Sequence, residues 1–254
     1  MIDKLLLIFS TFFLIRKAFV GNTKLRYFGI ASNTAELECF KQDGIYEKAM
    51  SVRFKEDAKL SKIFFDIGGN IGNYSVLYRK VSDGNCYCWE PVKHFRLLHI
   101  LNQYVNSFSL KNFYLYDNFI GIENKENFTD LNEFCRENNV YPDLIKLDIE
   151  GAESKVLPSL GDEIYKNLTL YLEFHVSHIF QNFKEDPYVL LDFLFNKFSR
   201  VEFNRNHWGS FKGIPAGNWE KKSKEEINSV IEDILYRESN PRGFGLILSN
   251  KEGE

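Results

Sequence analysis

Two short runs in this 254-residue chain carry residue types that can do chemistry. The first is Asp66-Ile67-Gly68-Gly69-Asn70-Ile71-Gly72-Asn73. It lies between an apolar stretch, Lys62 to Ile67, and a helical stripe of Tyr74, Val76, Leu77 and Val81. Glycines at a strand-to-helix turn let the backbone turn tightly and approach a ligand closely. In an open α/β sheet that turn, at the carboxyl end of a strand, is where ligands bind. A pyrophosphate cradle would need G-x-G-x-x-G; glycines at 68, 69 and 72 do not fit it. The run reads instead as D-x-G-x-N-x-G, and Asp66, Gly68, Asn70, Gly72 and Asn73 are its candidate ligand contacts. Glu90 ends the next strand, where a carboxylate can accept hydrogen bonds from both hydroxyls of a ribose. A dinucleotide fold uses the same device, so the acid alone does not choose the ligand.

The second run is Asp143-Leu144-Ile145-Lys146-Leu147-Asp148-Ile149-Glu150-Gly151-Ala152-Glu153. Strand residues alternate faces, so Lys146, Asp148 and Glu150 are expected to point one way and Leu147 and Ile149 the other. Three charged groups on one face are costly to bury alone. A Lys146–Asp148 or Lys146–Glu150 pair, or amides at a helix start, would offset part of that cost. Asp148, at the strand tip, is a candidate for accepting a substrate proton or for holding an ammonium group. Glu150 is a second candidate. His175 closes the next apolar run, Leu168 to Phe174, and would reach the same cleft. An imidazole with a pKa of about 6.5 is a reasonable general base. Asp117 and Asn118 follow the third strand and could meet an adenine amino group. Asp148, Glu150, His175 and His178 offer oxygen and nitrogen donors, but no spacing approaches H-E-x-x-H. No required metal is expected.

These residues need a scaffold, and the periodicity supplies one. Strands are expected at 62–67, 85–90, 112–116, 143–149, 168–174, 200–203 and 243–248. Helical stripes fall at 73–81, 92–105, 129–138, 154–160, 187–198 and 223–236. Asp186-Pro187 reads as an N-cap followed by proline at the first helical position. This alternation predicts an α/β domain over 61–254, with a mostly parallel seven-stranded sheet and helices on both faces. About 40 residues separate the last two strands, longer than an ordinary connection. That insert, about 204–240, opens Asn204-Arg205-Asn206-His207-Trp208-Gly209-Ser210-Phe211, and Trp219 follows. Aromatic faces there could stack on sugars, or the loop could pack its own aromatics.

Residues 1–60 read as an apolar helix and a prelude without clear strands. Leu5 to Ile15 is apolar except for Ser10 and Thr11. It is too short to span a bilayer, which takes about 20 residues. Ala18-Phe19-Val20 is a poor cleavage site for a signal peptide. Three readings stand: a helix on a membrane surface or partner, a helix against the domain itself, or a signal or anchor. The expected location is cytoplasmic, with membrane association through residues 5–15 left open. A net charge of −3 argues against a general grip on nucleic acid. Cys39, Cys86, Cys88 and Cys135 lack zinc-like spacing and are too few for a disulfide scaffold. Cys86 and Cys88 share a strand face and are expected to be reduced and buried.

The D-x-G-x-N-x-G run resembles motif I of class I methyltransferases. The run PDLIKLDIEGAE at 142–153 resembles the signature of FkbM-type methyltransferases, and Phe128-Thr129-Asp130-Leu131 fits that family's lead-in. With Glu90-Pro91, the ordered blocks span roughly residues 62–175. The resemblance implies a Rossmann-like class I methyltransferase fold and S-adenosylmethionine as cofactor. It also implies O-methylation of a hydroxyl, often on a sugar, glycan or small natural product. Under it, Asp66, Gly68, Asn70, Gly72, Asn73, Glu90, Asp117 and Asn118 hold the cofactor, and Asp148, Glu150 and His175 serve catalysis. Gly69 stands where the family commonly has alanine, a harmless change in a turn. The stretch before Phe128 is short, with little room for an extra strand. The rival readings are a non-catalytic cofactor-binding or structural subunit of a membrane-associated assembly, and a nicotinamide oxidoreductase, which the glycine spacing weakens.

Overall fold

The computed structural model describes residues 13–30, 45, 47–106, 111–122, 125–207, 217–237 and 242–251. It opens with a hairpin, β1 (Phe13–Val20) and β2 (Thr23–Ile30), paired antiparallel. The helical expectation for the N-terminal run is therefore corrected from Phe13 onward; residues 5–12 of that run lie outside the described residues. Gly21-Asn22 forms the two-residue turn, with Gly21 at φ 56°. Ala18, Val20, Leu25 and Tyr27 are buried, so one face of the hairpin belongs to the core. A chain beginning at Lys24 lacks β1 and is expected to melt several degrees lower. Calorimetry checks this, since about 2–4 °C accompanies each kcal/mol at this size. Helix α1 (Lys48–Leu60) follows, burying Met50, Phe54 and Ala58 at helical spacing.

The main body alternates as the periodicity predicts. In chain order it holds β3 (Ile63–Ile67), α2 (Asn73–Val81), β4 (Asn85–Trp89), α3 (Lys93–Val105) and β5 (Phe113–Tyr116). Next come β6 (Phe119–Ile120), β7 (Phe128–Thr129), α4 (Leu131–Asn138), β8 (Leu144–Leu147), α5 (Glu153–Ser159) and α6 (Asp162–Tyr165). The chain continues through β9 (Thr169–Phe174), α7 (Val176–Gln181), α8 (Pro187–Lys197), β10 (Arg200–Asn204), α9 (Lys224–Tyr236) and β11 (Phe244–Ser249). The stretch with little room for an extra strand does hold one: β6 pairs in parallel with β7. Asp186 caps α8 by accepting the Tyr188 N–H, and Ser223 with Glu226 forms a capping box on α9.

The seven-stranded sheet runs β10-β11-β9-β8-β3-β4-β5. All pairings are parallel except those of β11, which is antiparallel to β9 and β10. From β3 the chain first moves outward to β4 and β5, then returns to β8 on the other side of β3. This reversal opens a crevice at the carboxyl ends of β3 and β8, where ligands bind in such sheets. Strand alternation builds a core on each face. Phe65, Ile67, Trp89, Ile145 and Leu147 join one cluster, with α4, α5, α8 and α9 over it. Phe64, Cys86, Cys88, Leu144 and Tyr171 join the other, under α1, α2 and the hairpin. Cys86 and Cys88 are buried and free, as expected, and so is Cys135; Cys39 lies outside the described residues. Among the described residues no helix is long and apolar enough to cross a membrane.

Candidate active site

The glycine turn hangs from β4. The Gly68 and Gly69 N–H groups both donate to the Trp89 carbonyl, at 2.9 and 3.1 Å. Gly68 has φ +81°, and a Cβ there would stand 1.8 Å from the Asp148 carbonyl oxygen. The two strand ends thus approach too closely for any side chain. Asp66 is buried behind the turn and accepts the Ser75 N–H (3.0 Å) and hydroxyl, which ties α2 to β3. Burial raises the Asp66 pKa to about 6, against the Ser75 hydrogen bonds. Glu90 accepts the Asn70 N–H and the Val92 N–H, both at 2.8 Å. Arg96 donates to the Glu90 carbonyl (2.9 Å) and lies 3.6 Å from Asp117.

Beyond the turn lies a cavity of about 140 Å³. Of the residues expected from sequence, Asp66, Gly68, Asn70, Asn73, Asp148, Glu150 and His175 line it. Gly72, Glu90, Asp117 and Asn118 do not. Gly72 turns the chain at φ +89° against the His99 ring. Asp117 is exposed beside Arg96, and Asn118 donates to the Glu126 carbonyl at 3.0 Å.

Five further lining residues, Glu47, Gly69, Tyr74, Lys146 and Glu173, complete the wall. Glu47 caps α1 at φ 49° and accepts the Tyr74 hydroxyl. Lys146 is buried, 3.4 Å from Asp148 and over the Tyr74 ring. The expected Lys146–Asp148 pair therefore exists. The strict alternation expected through residue 150 does not: β8 ends at Leu147, and Glu150 sits in the left-handed region at φ 56°. His175 places Nδ1 2.8 Å from Glu153, a buried carboxylate that also accepts the Ile149 N–H. Its Nε2 faces Asp148, Glu150 and Glu173 at 3.7, 3.6 and 3.5 Å.

The electrostatics correct one expectation. Burial alone would lower the His175 pKa, but the Glu153 hydrogen bond and the surrounding carboxylates raise it to about 10. Without ligand, His175 is an imidazolium, not the neutral base expected from its ordinary pKa. Burial opposes ionisation of Asp148, yet Lys146 and His175 hold its pKa below the usual carboxylate range. Glu47 and Glu173 are pushed up, first by burial.

Two described residues of the insert pack towards the body of the domain. His207 is buried, with Nε2 2.7 Å from Glu173, so it backs the cavity wall. Trp219 donates to the Ala49 carbonyl at 3.1 Å and packs against the hairpin-side core. Trp208 through Phe211 lie outside the described residues. Glu47 and His207 reach the cavity wall from distant elements, and Glu173, two residues before His175 on the same strand, was passed over in the sequence. The helical spacing of Met50, Phe54 and Ala58 is the signal that could have found α1, and with it a cap near residue 47, but it was not read.

Gly69 is not a harmless replacement for alanine in this chain. A Cβ there would stand 2.2 Å from Cys88 Sγ. Behind the same turn, His99 is fully buried, and burial, then Arg79, lowers its pKa to about 3. A depressed histidine pKa contributes stability above the unfolded value of about 6.5 and loses it as pH falls. Between pH 7 and pH 4 that loss is roughly 3 kcal/mol at most. Urea unfolding at the two pH values should show it, and His99→Gln should flatten the difference. Equal pH dependence in both proteins would exclude His99 as the source.

Neither any family model nor any curated protein sequence matches this chain. Solved structures do match. A provisionally assigned transferase from Pyrococcus horikoshii gives a TM-score of 0.52 at 11% identity, over 93% of this chain and 70% of that one. A precorrin-6y C5,15-methyltransferase from Geobacter metallireducens gives 0.47 at 11% identity, over 79% and 87%. An O-methyltransferase from Bacillus cereus in complex with SAH gives 0.44 at 10% identity, over 86% and 83%. At 11% identity the likeness to the Pyrococcus transferase is one of fold: this chain has a Rossmann-like α/β architecture built on a seven-stranded, mostly parallel sheet.

Proposed function

We propose that this chain is an S-adenosylmethionine-dependent O-methyltransferase acting on a hydroxyl of a sugar, glycan or small natural product. The observation that carries the reading is the glycine turn at the sheet's reversal point, with Glu90 fastened to it through the Asn70 N–H. Each Glu90 oxygen accepts one backbone N–H and keeps acceptor capacity for a ribose hydroxyl. Asn73 Oδ1 is buried at the cavity without a hydrogen-bond partner, which suits the cofactor's ammonium group. At about 140 Å³ the cavity is smaller than the roughly 300 Å³ of a typical ligand pocket. It fits the reacting end of the cofactor, with the ribose and adenine in the open crevice toward Glu90, Asp117 and Asn118.

The cofactor supplies a methyl group already activated on a sulfonium. The protein's share is proximity and alignment, worth roughly 7–11 kcal/mol at the limit. The cavity's acids favour a hydroxyl-bearing acceptor and repel phosphate-rich ones. Asp148 is the candidate acceptor of the hydroxyl proton, and Glu150 and His175 flank it. Residues 61–254 form the catalytic unit in this reading, and the resemblance of the blocks spanning 62–175 to FkbM-type enzymes supports it. Calorimetric titration with S-adenosylmethionine, then turnover of the labelled cofactor against a panel of sugars, tests it. Glu90→Ala is expected to weaken cofactor binding by about 1–3 kcal/mol, the cost of lost charged hydrogen bonds. Tight binding with no transfer to any acceptor would favour a non-catalytic cofactor-binding subunit instead.

A further inference from the structure

His175 is arranged like a metal ligand. Its Nδ1 is fixed by Glu153 at 2.8 Å, leaving Nε2 directed at Asp148, Glu150 and Glu173. Metal-binding histidines are held in this way, by a carboxylate on the ring nitrogen that does not ligate. The three oxygens stand 3.5 to 3.7 Å from Nε2, longer than a good hydrogen bond. Two donors bound tetrahedrally at about 2.1 Å from one ion lie about 3.4 Å apart. At these separations Nε2 is not hydrogen-bonded to any of the three, and it stands at the spacing of donors that share an ion.

His178 adds a fifth donor. Its ring is parallel to that of His175, with centroids 5.4 Å apart. His178 Nδ1 is shielded from solvent and makes no hydrogen bond, although Glu150 Oε2 is 3.0 Å away. Glu150, His175 and His178 bring ligand atoms within 4.8 Å of one another, and so do Asp148, Glu173 and His175. The same cavity holds a fully buried acceptor, Glu47 Oε1, with no hydrogen-bond partner. Around it Glu47, Asp66, Asp148, Glu150 and Glu173 outnumber Lys146 and His175.

We propose that Glu150, His175 Nε2 and His178 Nδ1 hold one divalent transition-metal ion at the acceptor end of the cavity, with Asp148 and Glu173 behind His175. A mixed carboxylate and imidazole set suits Mn²⁺ or Zn²⁺ rather than Mg²⁺ or Ca²⁺, which favour all-oxygen sites. An ion there would bind the oxygen of an acceptor hydroxyl and lower its pKa, as a Lewis acid does. The site stands without the methyl-transfer reading, because its ligands are defined by their geometry alone.

The test uses the full chain, stripped of metal with a chelator and titrated with Mn²⁺ under electron paramagnetic resonance. The expected result is one site per chain, with Zn²⁺ displacing Mn²⁺. Glu150→Gln combined with His178→Asn changes two partly exposed side chains and should keep the fold, which circular dichroism checks. This pair should weaken Mn²⁺ binding at least tenfold, and His175→Asn should abolish the site. No stoichiometric site in the parent protein, or equal affinity in the folded double variant, overturns the proposal. Cofactor titration is scored separately: an ion site without S-adenosylmethionine binding would sink the proposed function and leave the ion site standing. Cofactor binding without an ion site would do the reverse.

Discussion

Asp148→Asn is expected to lower turnover by about 10²-fold or more, the range of a lost acid–base group, with cofactor affinity little changed. The side chain stands at the tip of β8, between Lys146 at 3.4 Å and His175 at 3.7 Å. Asparagine keeps the shape and removes the charge. Lys146 retains buried Glu47 and Glu173 as neighbours, so the fold should survive the exchange. The acceptor loses its carboxylate, whether that group takes the hydroxyl proton or helps bind an ion. Single-turnover rates beside calorimetric affinities separate the effects. His175→Ala belongs in the same experiment, because the two groups face each other across the cavity. If Asp148→Asn destroys cofactor binding and His175→Ala destroys turnover, Asp148 is an ammonium anchor and the catalytic role passes to His175. If both variants keep full rates, the catalytic group lies elsewhere, and Glu173 with His207 behind it is the next place to look.

The strands and helices that carry the site were legible because each buries a local pattern. Phe64 and Phe65 face opposite cores, and the stripe from Tyr74 to Val81 marks α2. The same locality hid the rest. Glu47 and His207 meet Glu173 only after the sheet has formed, and no spacing in the sequence encodes that meeting. The charge state of His175 was hidden for a related reason. Its ordinary pKa suggested a base, but Glu153, Glu173 and Asp148 raise it once the ends of β8 and β9 lie side by side. The hairpin was missed despite its Gly21-Asn22 turn, because the apolar run before it was read as helical. Strands of that length carry only a few alternating positions, and an apolar run that continues into them masks the alternation.

Gly68→Ala should cost about 3 kcal/mol or more, from a positive φ together with a clash that cannot relax. The new Cβ meets the Asp148 carbonyl at 1.8 Å, and the Asp148 N–H is itself bonded to the Ile67 carbonyl. Backbone on both sides is pinned, so the strand ends must part and the cavity with them. Melting temperature should fall by roughly 6–12 °C, and cofactor binding should be lost even below the melting point. Gly69→Ala is the informative contrast. Its φ is not in the left-handed region, and its clash is with the Cys88 side chain at 2.2 Å. It should cost about 1–3 kcal/mol as an overpacked site. Cys88→Ala should recover most of that loss when combined with it, since the obstructing sulfur is gone. A double-mutant cycle measures the coupling, expected within the 0.5–3 kcal/mol typical of touching residues. Additive losses would mean that the turn itself, and not Cys88, requires glycine at position 69. No partner substitution should rescue Gly68→Ala, because the atom it strikes belongs to the backbone.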